Sequence, residues 1–131
     1  MRKLFAILSI SALFLTGCGS SSSTSSTTNQ SANEFATTIS DESVVVLDVR
    51  TPGEFAAGHI SNSINIDVET GEFANQVANL DKTKTYAVYC QSGRRSAIAA
   101  SEMAKLGFTS LYNLNGGISA WAGAGQTVVQ D

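Results

Sequence analysis

The chain reads as an α/β domain, with a mostly parallel central sheet and helices packed on both of its faces. Two apolar runs, Val44–Val49 (VVVLDV) and Tyr86–Tyr89 (YAVY), show no polar alternation, as expected of strands buried on both sides. Helix-like stretches fall between such runs, and strands that alternate with helices are joined by crossovers that place the helices over a parallel sheet.

The elements follow in order. Residues 1–18, MRKLFAILSISALFLTGC, have a basic start at Arg2 and Lys3 and an apolar stretch from Leu4 to Leu15, the layout of a secretory signal. That stretch is shorter than the ~20 residues a spanning helix needs. Its end, Leu15-Thr16-Gly17-Cys18, is similar to the bacterial lipoprotein cleavage box, which implies an acylated Cys18 as the mature N-terminus. Several acyl chains on one residue give stable anchoring, so the expectation is an exported protein tethered to a membrane and facing the periplasm or cell exterior. Residues 19–33, GSSSSTSSTTNQSAN, are nearly all small and polar and read as a flexible spacer. The foldable domain is then expected over 34–131, long enough for one core.

Within it, Val44–Val49 and Tyr86–Tyr89 are the main strands, with shorter candidates at Ile64–Ile66 and Leu111–Leu114. Helices are predicted over Thr51–Ala57, where Pro52 suits a first turn, over Glu72–Leu80, and over Arg95–Leu106, which stops at Gly107. Residues beyond Gly123 carry no clear pattern.

A formal net charge of −3, spread along the chain, argues against a nucleic-acid partner, which would need clustered Lys and Arg. There are two cysteines. With Cys18 acylated, Cys90 has no partner for a disulfide or a dithiol redox cycle.

Cys90 stands at the carboxyl end of a strand, where ligands bind in open α/β sheets. It begins the stretch CQSGRRS, a tight loop leading into a helix. Unpaired N–H groups of the loop and first helical turn, together with the helix dipole and the charges of Arg94 and Arg95, favour thiolate over thiol. Such surroundings take a cysteine from a pKa of about 8.5 to between about 3.5 and 7.5. Gly93 can adopt the positive φ that a curled loop needs, and Ser92 and Ser96 can add donors.

Three stretches in this order, LDVRTPGEFAAGHI (47–60), CQSGRRS (90–96) and LNGGISAW (114–121), resemble the single-domain rhodaneses, the thiosulfate sulfurtransferase family, and most of all their small exported bacterial members. The resemblance implies a single rhodanese-like domain around a five-stranded sheet, and a reaction in which a cysteine thiolate takes a sulfur from thiosulfate or a similar anion. A persulfide forms and passes the sulfur to a thiol or cyanide acceptor. Carried onto this chain, Cys90 is the nucleophile. The amides of Gln91, Ser92, Gly93 and onward to Ser96 cradle the sulfur, and Arg95, then Arg94, bind the donor's oxygens. Asp48, Arg50, Glu54 and His59 match positions that line or brace the mouth. Asp48 is expected to pair with an arginine or accept backbone N–H groups, and Arg50 to face anions or pair with Glu54. His59 reads as a hydrogen-bonded structural residue rather than a base, since a thiolate already formed needs none. Gly116, Gly117 and Trp121 read as turn and core residues. No metal or organic cofactor is implied, and a monomer is expected.

Two other functions fit the same residues. One is a persulfide carrier that delivers sulfur to a partner protein without turnover as a free enzyme. The other is a cysteine phosphatase or arsenate reductase, whose loops hold one more residue between Cys and Arg than the four between Cys90 and Arg95, and whose preceding histidine is replaced here by Tyr89.

Overall fold

The computed structural model describes residues 27–131. Eleven short elements follow one another: β1 (Thr28–Gln30), α1 (Ala32–Ile39), β2 (Val45–Asp48), α2 (Pro52–Ala57), β3 (Ile64–Asn65), a 3₁₀ turn (Val68–Thr70), α3 (Phe73–Val77), β4 (Thr85–Tyr89), α4 (Arg94–Lys105), β5 (Ser110–Leu114) and α5 (Gly117–Gly123). The five strands form one sheet in the order β1-β5-β4-β2-β3, and every pair in it is parallel.

Period-two alternation along β4 divides the core. Tyr86, Val88 and Cys90 face α3 and α4 together with Leu47, Phe73, Val77, Met103 and Phe108. Ala87 and Tyr89 face α1 and α5, with Phe35, Leu114, Ile118 and Trp121. Each layer holds an edge-to-face aromatic pair, Tyr86–Phe108 at 5.2 Å and Phe35–Trp121 at 6.1 Å, worth about 1 kcal/mol beyond the area they bury.

The ordered domain starts earlier than Glu34. Thr28–Gln30, inside the stretch read as spacer, pair with β5, and Ser31 caps α1 through a reciprocal box: its hydroxyl accepts from Glu34 N (3.2 Å) and its N–H donates to Glu34 Oε2 (3.1 Å). A polar three-residue strand has no apolar period to show; only the open edge of β5 makes it a strand. Residues 1–26, with the expected signal and Cys18, lie outside the described residues.

The tail beyond Gly123 is also placed. Trp121 Nε1 donates to Thr127 O (2.9 Å), and His59 and Val129 exchange backbone hydrogen bonds as an isolated antiparallel bridge.

Gly117, at φ +61°, is packed so closely against the Cys90–Gln91 segment that a Cβ would overlap the Gln91 carbonyl group and lie 2.6 Å from Cys90 O. Backbone atoms cannot move aside as a side-chain tip can. Gly117→Ala is therefore expected to destabilise the domain by about 3 kcal/mol, from overpacking together with the positive φ, as read by denaturant unfolding.

Candidate active site

Cys90 follows the last residue of β4, and Asp48 ends the neighbouring β2, so the site sits at the carboxyl edge of the sheet. The loop turns through Gly93 at φ +96° and enters α4 at Arg94. Its carbonyls and its amides face opposite ways. Cys90 O accepts from Ile118 N (2.9 Å) and Gln91 O from Ser119 N (3.3 Å), so the first turn of α5 takes up the carbonyls. The amides are left to face inward, and Gly93 N donates to Cys90 Sγ at 3.1 Å. Ser96 Oγ, fully buried, donates to the same sulfur at 3.3 Å.

Cys90 has no exposed surface. Burial pushes its thiol up, but hydrogen bonds from the Ser96 hydroxyl and from the amides of Ser96, Ser92 and Gly93 outweigh this and leave it below the ordinary thiol value. The sulfur is thus shielded from bulk water yet held in a cradle of donors suited to negative charge.

The arginines are arranged differently from the sequence expectation. Arg50 does not pair with Glu54. It is 3% exposed and forks onto Asp48, with Nη2–Oδ2 at 2.7 Å and Nε within 3.1 Å of both oxygens. Asp48 also accepts from Arg50 N (2.9 Å), and Arg50 Nη2 donates to Gly58 O (2.6 Å). Burial works against the Arg50 charge, and Asp48 more than offsets it, so the guanidinium is raised from its ordinary value. Glu54 goes instead to Arg95, through Oε1–Nη1 at 2.8 Å and Oε2–Nη2 at 2.9 Å, and Glu69 approaches Arg95 at 3.5 Å. Arg95, expected to be the first donor-binding residue, therefore has its charge taken up by carboxylates, which raise its pKa. Arg94 is exposed and makes no ion pair among the described residues.

His59 is buried, stacked on Phe55 with ring centroids 3.8 Å apart. Its Nδ1–H donates to Phe55 O (2.9 Å), and Nε2 lies 3.0 Å from Asp131 Oδ1, so neither nitrogen is turned to Cys90. Gln91 spans the mouth, accepting from Arg50 Nη1 (3.4 Å) and donating to Ser119 Oγ (2.9 Å). Beside it opens a cleft of about 440 Å³ whose walls include Glu54, Ala57, Ile118, Ser119 and Val128. Trp121 is core, Gly116 turns the chain into α5 at φ +79°, and Gly117 lets α5 press onto the loop. Sequence reasoning missed Ser119, Glu69 and the tail residues Val129 and Asp131, because each meets the site only across a tertiary contact. Among the described residues no three His, Cys, Asp or Glu side chains gather to hold a metal.

A family model described as "Rhodanese-like domain" matches residues 31–124. The chain belongs to the rhodanese-like domain family. It is 35% identical over 97 residues to the thiosulfate sulfurtransferase GlpE of Pseudomonas aeruginosa, a match covering 74% of this chain and 86% of the relative. A mitochondrial protein of Schizosaccharomyces pombe is 37% identical over 93 residues, 63% of this chain and 66% of that protein's length. Among solved structures, a rhodanese-related protein from Thermoplasma volcanium superposes with a TM-score of 0.70 at 36% identity, covering 79% of this chain and 99% of that one. The rhodanese-like fold, a five-stranded parallel sheet flanked by helices, agrees with the sequence reading.

Two outcomes are expected from the site's electrostatics. Ser96→Ala removes the largest of the lowering influences on Cys90, so the midpoint of a pH profile of iodoacetamide alkylation moves upward. Glu54 is held at about 2, first by Arg95, against an ordinary 4.5. A depressed carboxylate stabilises the fold above its unfolded value and loses that contribution as pH falls through the folded value. Glu54→Gln should therefore flatten the stability profile between about pH 4.5 and 2 and, with solvent screening of this partly exposed pair, cost about 1 kcal/mol at neutral pH in denaturant titrations.

Proposed function

We propose that this protein is a rhodanese-type sulfurtransferase that carries a sulfane sulfur as a Cys90 persulfide. The observation that supports this most directly is the pair of donors, Gly93 N–H and Ser96 O–H, trained on a buried sulfur. The Cys90 thiolate attacks the outer sulfur of thiosulfate; the sulfur–sulfur bond of the donor breaks and its electron pair leaves with sulfite. The same donors then hold the persulfide anion, whose charge replaces that of the thiolate, so the cradle serves both halves of the cycle. An acceptor thiolate or cyanide attacks the terminal sulfur, forming its own carbon–sulfur or sulfur–sulfur bond and returning the electron pair to Cys90. Because Cys90 has no exposed surface, neighbouring atoms must yield before a donor reaches it.

Donor binding falls to Arg94 in this reading. Arg50 and Arg95 are paired with carboxylates, which leaves Arg94, next to Gly93 and open to solvent, as the guanidinium at the loop able to meet an anion's oxygens. Export and membrane tethering through Cys18 belong to the proposal and rest on the sequence of residues 1–18.

Purified domain mixed with thiosulfate and cyanide should form thiocyanate, and Cys90→Ala should abolish it. A mass gain of one sulfur without turnover would favour the carrier function; release of phosphate from an aryl phosphate would overturn sulfur transfer. Arg94→Ala is expected to raise KM for thiosulfate about five-fold with KM for cyanide little changed, the pattern of a lost ground-state contact to the donor alone.

A further inference from the structure

The cradle has a support outside the loop. Asn113, on β5, is 3% exposed, and its Nδ2 donates both to Gly93 O (3.3 Å) and to Asn29 Oδ1 (3.0 Å). Asn29 is its register partner on β1. The Gly93 carbonyl can only accept, so the amide must present its NH₂ group there, and both hydrogens are thereby used. Asn113 Oδ1 is left buried with no partner in the protein. A buried acceptor without a hydrogen bond is unfavourable, and an aliphatic side chain would fill the position without that penalty. What the amide adds is its donors.

Gly93 is the residue whose N–H reaches Cys90 Sγ. Its carbonyl also accepts from Ala97 N (3.2 Å), the first bond of α4. At its back, a Cβ would stand 3.0 Å from Leu114 O and 3.1 Å from Gly116 N, so the end of β5 and the turn after it form a wall behind the residue. The Gly93 carbonyl belongs to the peptide plane that follows the residue, so it acts on the Gly93 N–H through the residue's own φ and ψ. Two donors on that carbonyl, with the wall behind, hold those dihedrals, φ at +96°, and with them the N–H aimed at the sulfur.

We propose that Asn113 is a positioning residue for the Cys90 thiolate, acting through the Gly93 carbonyl, with Asn29 on β1 holding the amide in its donating orientation. The proposal rests on the thiolate chemistry of the proposed function and deepens it: a strand from the stretch ahead of the expected domain helps to set the reactivity of the nucleophile. Releasing Asn113 lets Gly93 relax, lengthens the N–H to sulfur contact and weakens the thiolate.

The test is the pH profile of iodoacetamide alkylation of Cys90 in the full chain, read by peptide mass so that Cys18 is scored apart, measured on wild type, Asn113→Ala and Asn29→Ala, with unfolding followed in parallel. Asn113→Ala should move the midpoint upward and slow alkylation below it about three-fold; Asn29→Ala, at an exposed site, should move it the same way by less. A purely structural asparagine would lower the unfolding midpoint while leaving the alkylation midpoint in place, and that result overturns the proposal. Should Asn113→Ala fail to fold, Asn29→Ala decides, since an unmoved profile there means the amide's orientation does not reach the sulfur. Alkylation requires no sulfur donor, so loss of sulfurtransferase activity in the wild type would overturn the proposed function separately.

Discussion

The site depends on one constraint: the first turn of α5 takes the loop carbonyls. With Cys90 O bound to Ile118 N and Gln91 O to Ser119 N, the two peptide planes that carry the Gln91 and Ser92 N–H groups have their carbonyl edges turned to α5 and their N–H edges to the opposite side. A helix N-terminus, with its unpaired donors, would ordinarily be free to hold an anion itself. Here it holds backbone oxygens, and the donor that meets the Cys90 sulfur comes from the loop itself, through Gly93 N. Gly117 makes the approach close enough, because the space its Cβ would need is occupied by the loop backbone. The loop therefore lies between two helices with opposite tasks: α4 begins on Gly93 and supplies Ser96, while α5 orients the peptides from behind.

Charge follows the same economy of position. Three guanidiniums lie near the sulfur in sequence or space, but two are matched to carboxylates. Arg50 with Asp48 forms a buried pair under the mouth, satisfied further by Gly58 O and by Arg50 N, and pairs of this kind are tolerable inside a protein only when their remaining hydrogen-bonding capacity is met. Arg95 ties α4 to the capping box of α2 through Glu54, which is also bonded to Thr51. These pairs fix the walls of the site. Against burial, the Cys90 thiol is lowered by short-range hydrogen bonds from Ser96, Ser92 and Gly93, which persist at a buried sulfur.

The strands that were legible are those with an apolar signature. Val45–Asp48 and Thr85–Tyr89 lie within a residue of the runs that predict them, and α2 and α4 lie close to their expected ranges, since Pro52 and Gly107 mark ends by their own backbone limits. Helix α3 is shorter than Glu72–Leu80, and β1, α1 and α5 were not anticipated. β1 is polar and acquires its conformation from β5; α5 starts with two positive-φ glycines, which read locally as a turn.

By itself the sequence determined that a cysteine stands at the end of a buried strand, in a loop with a glycine and a following helix, and that the chain forms a parallel α/β domain. Those are properties of neighbours along the chain: apolar runs, caps, and residues a few positions apart. Which arginine is committed to which carboxylate, which way the loop peptides turn, and the reach of the tail and β1 to the site were decided only by tertiary structure. A guanidinium finds whatever carboxylate the packing brings within about 3 Å, and a peptide plane turns toward whichever partner satisfies its carbonyl, neither of which local sequence encodes.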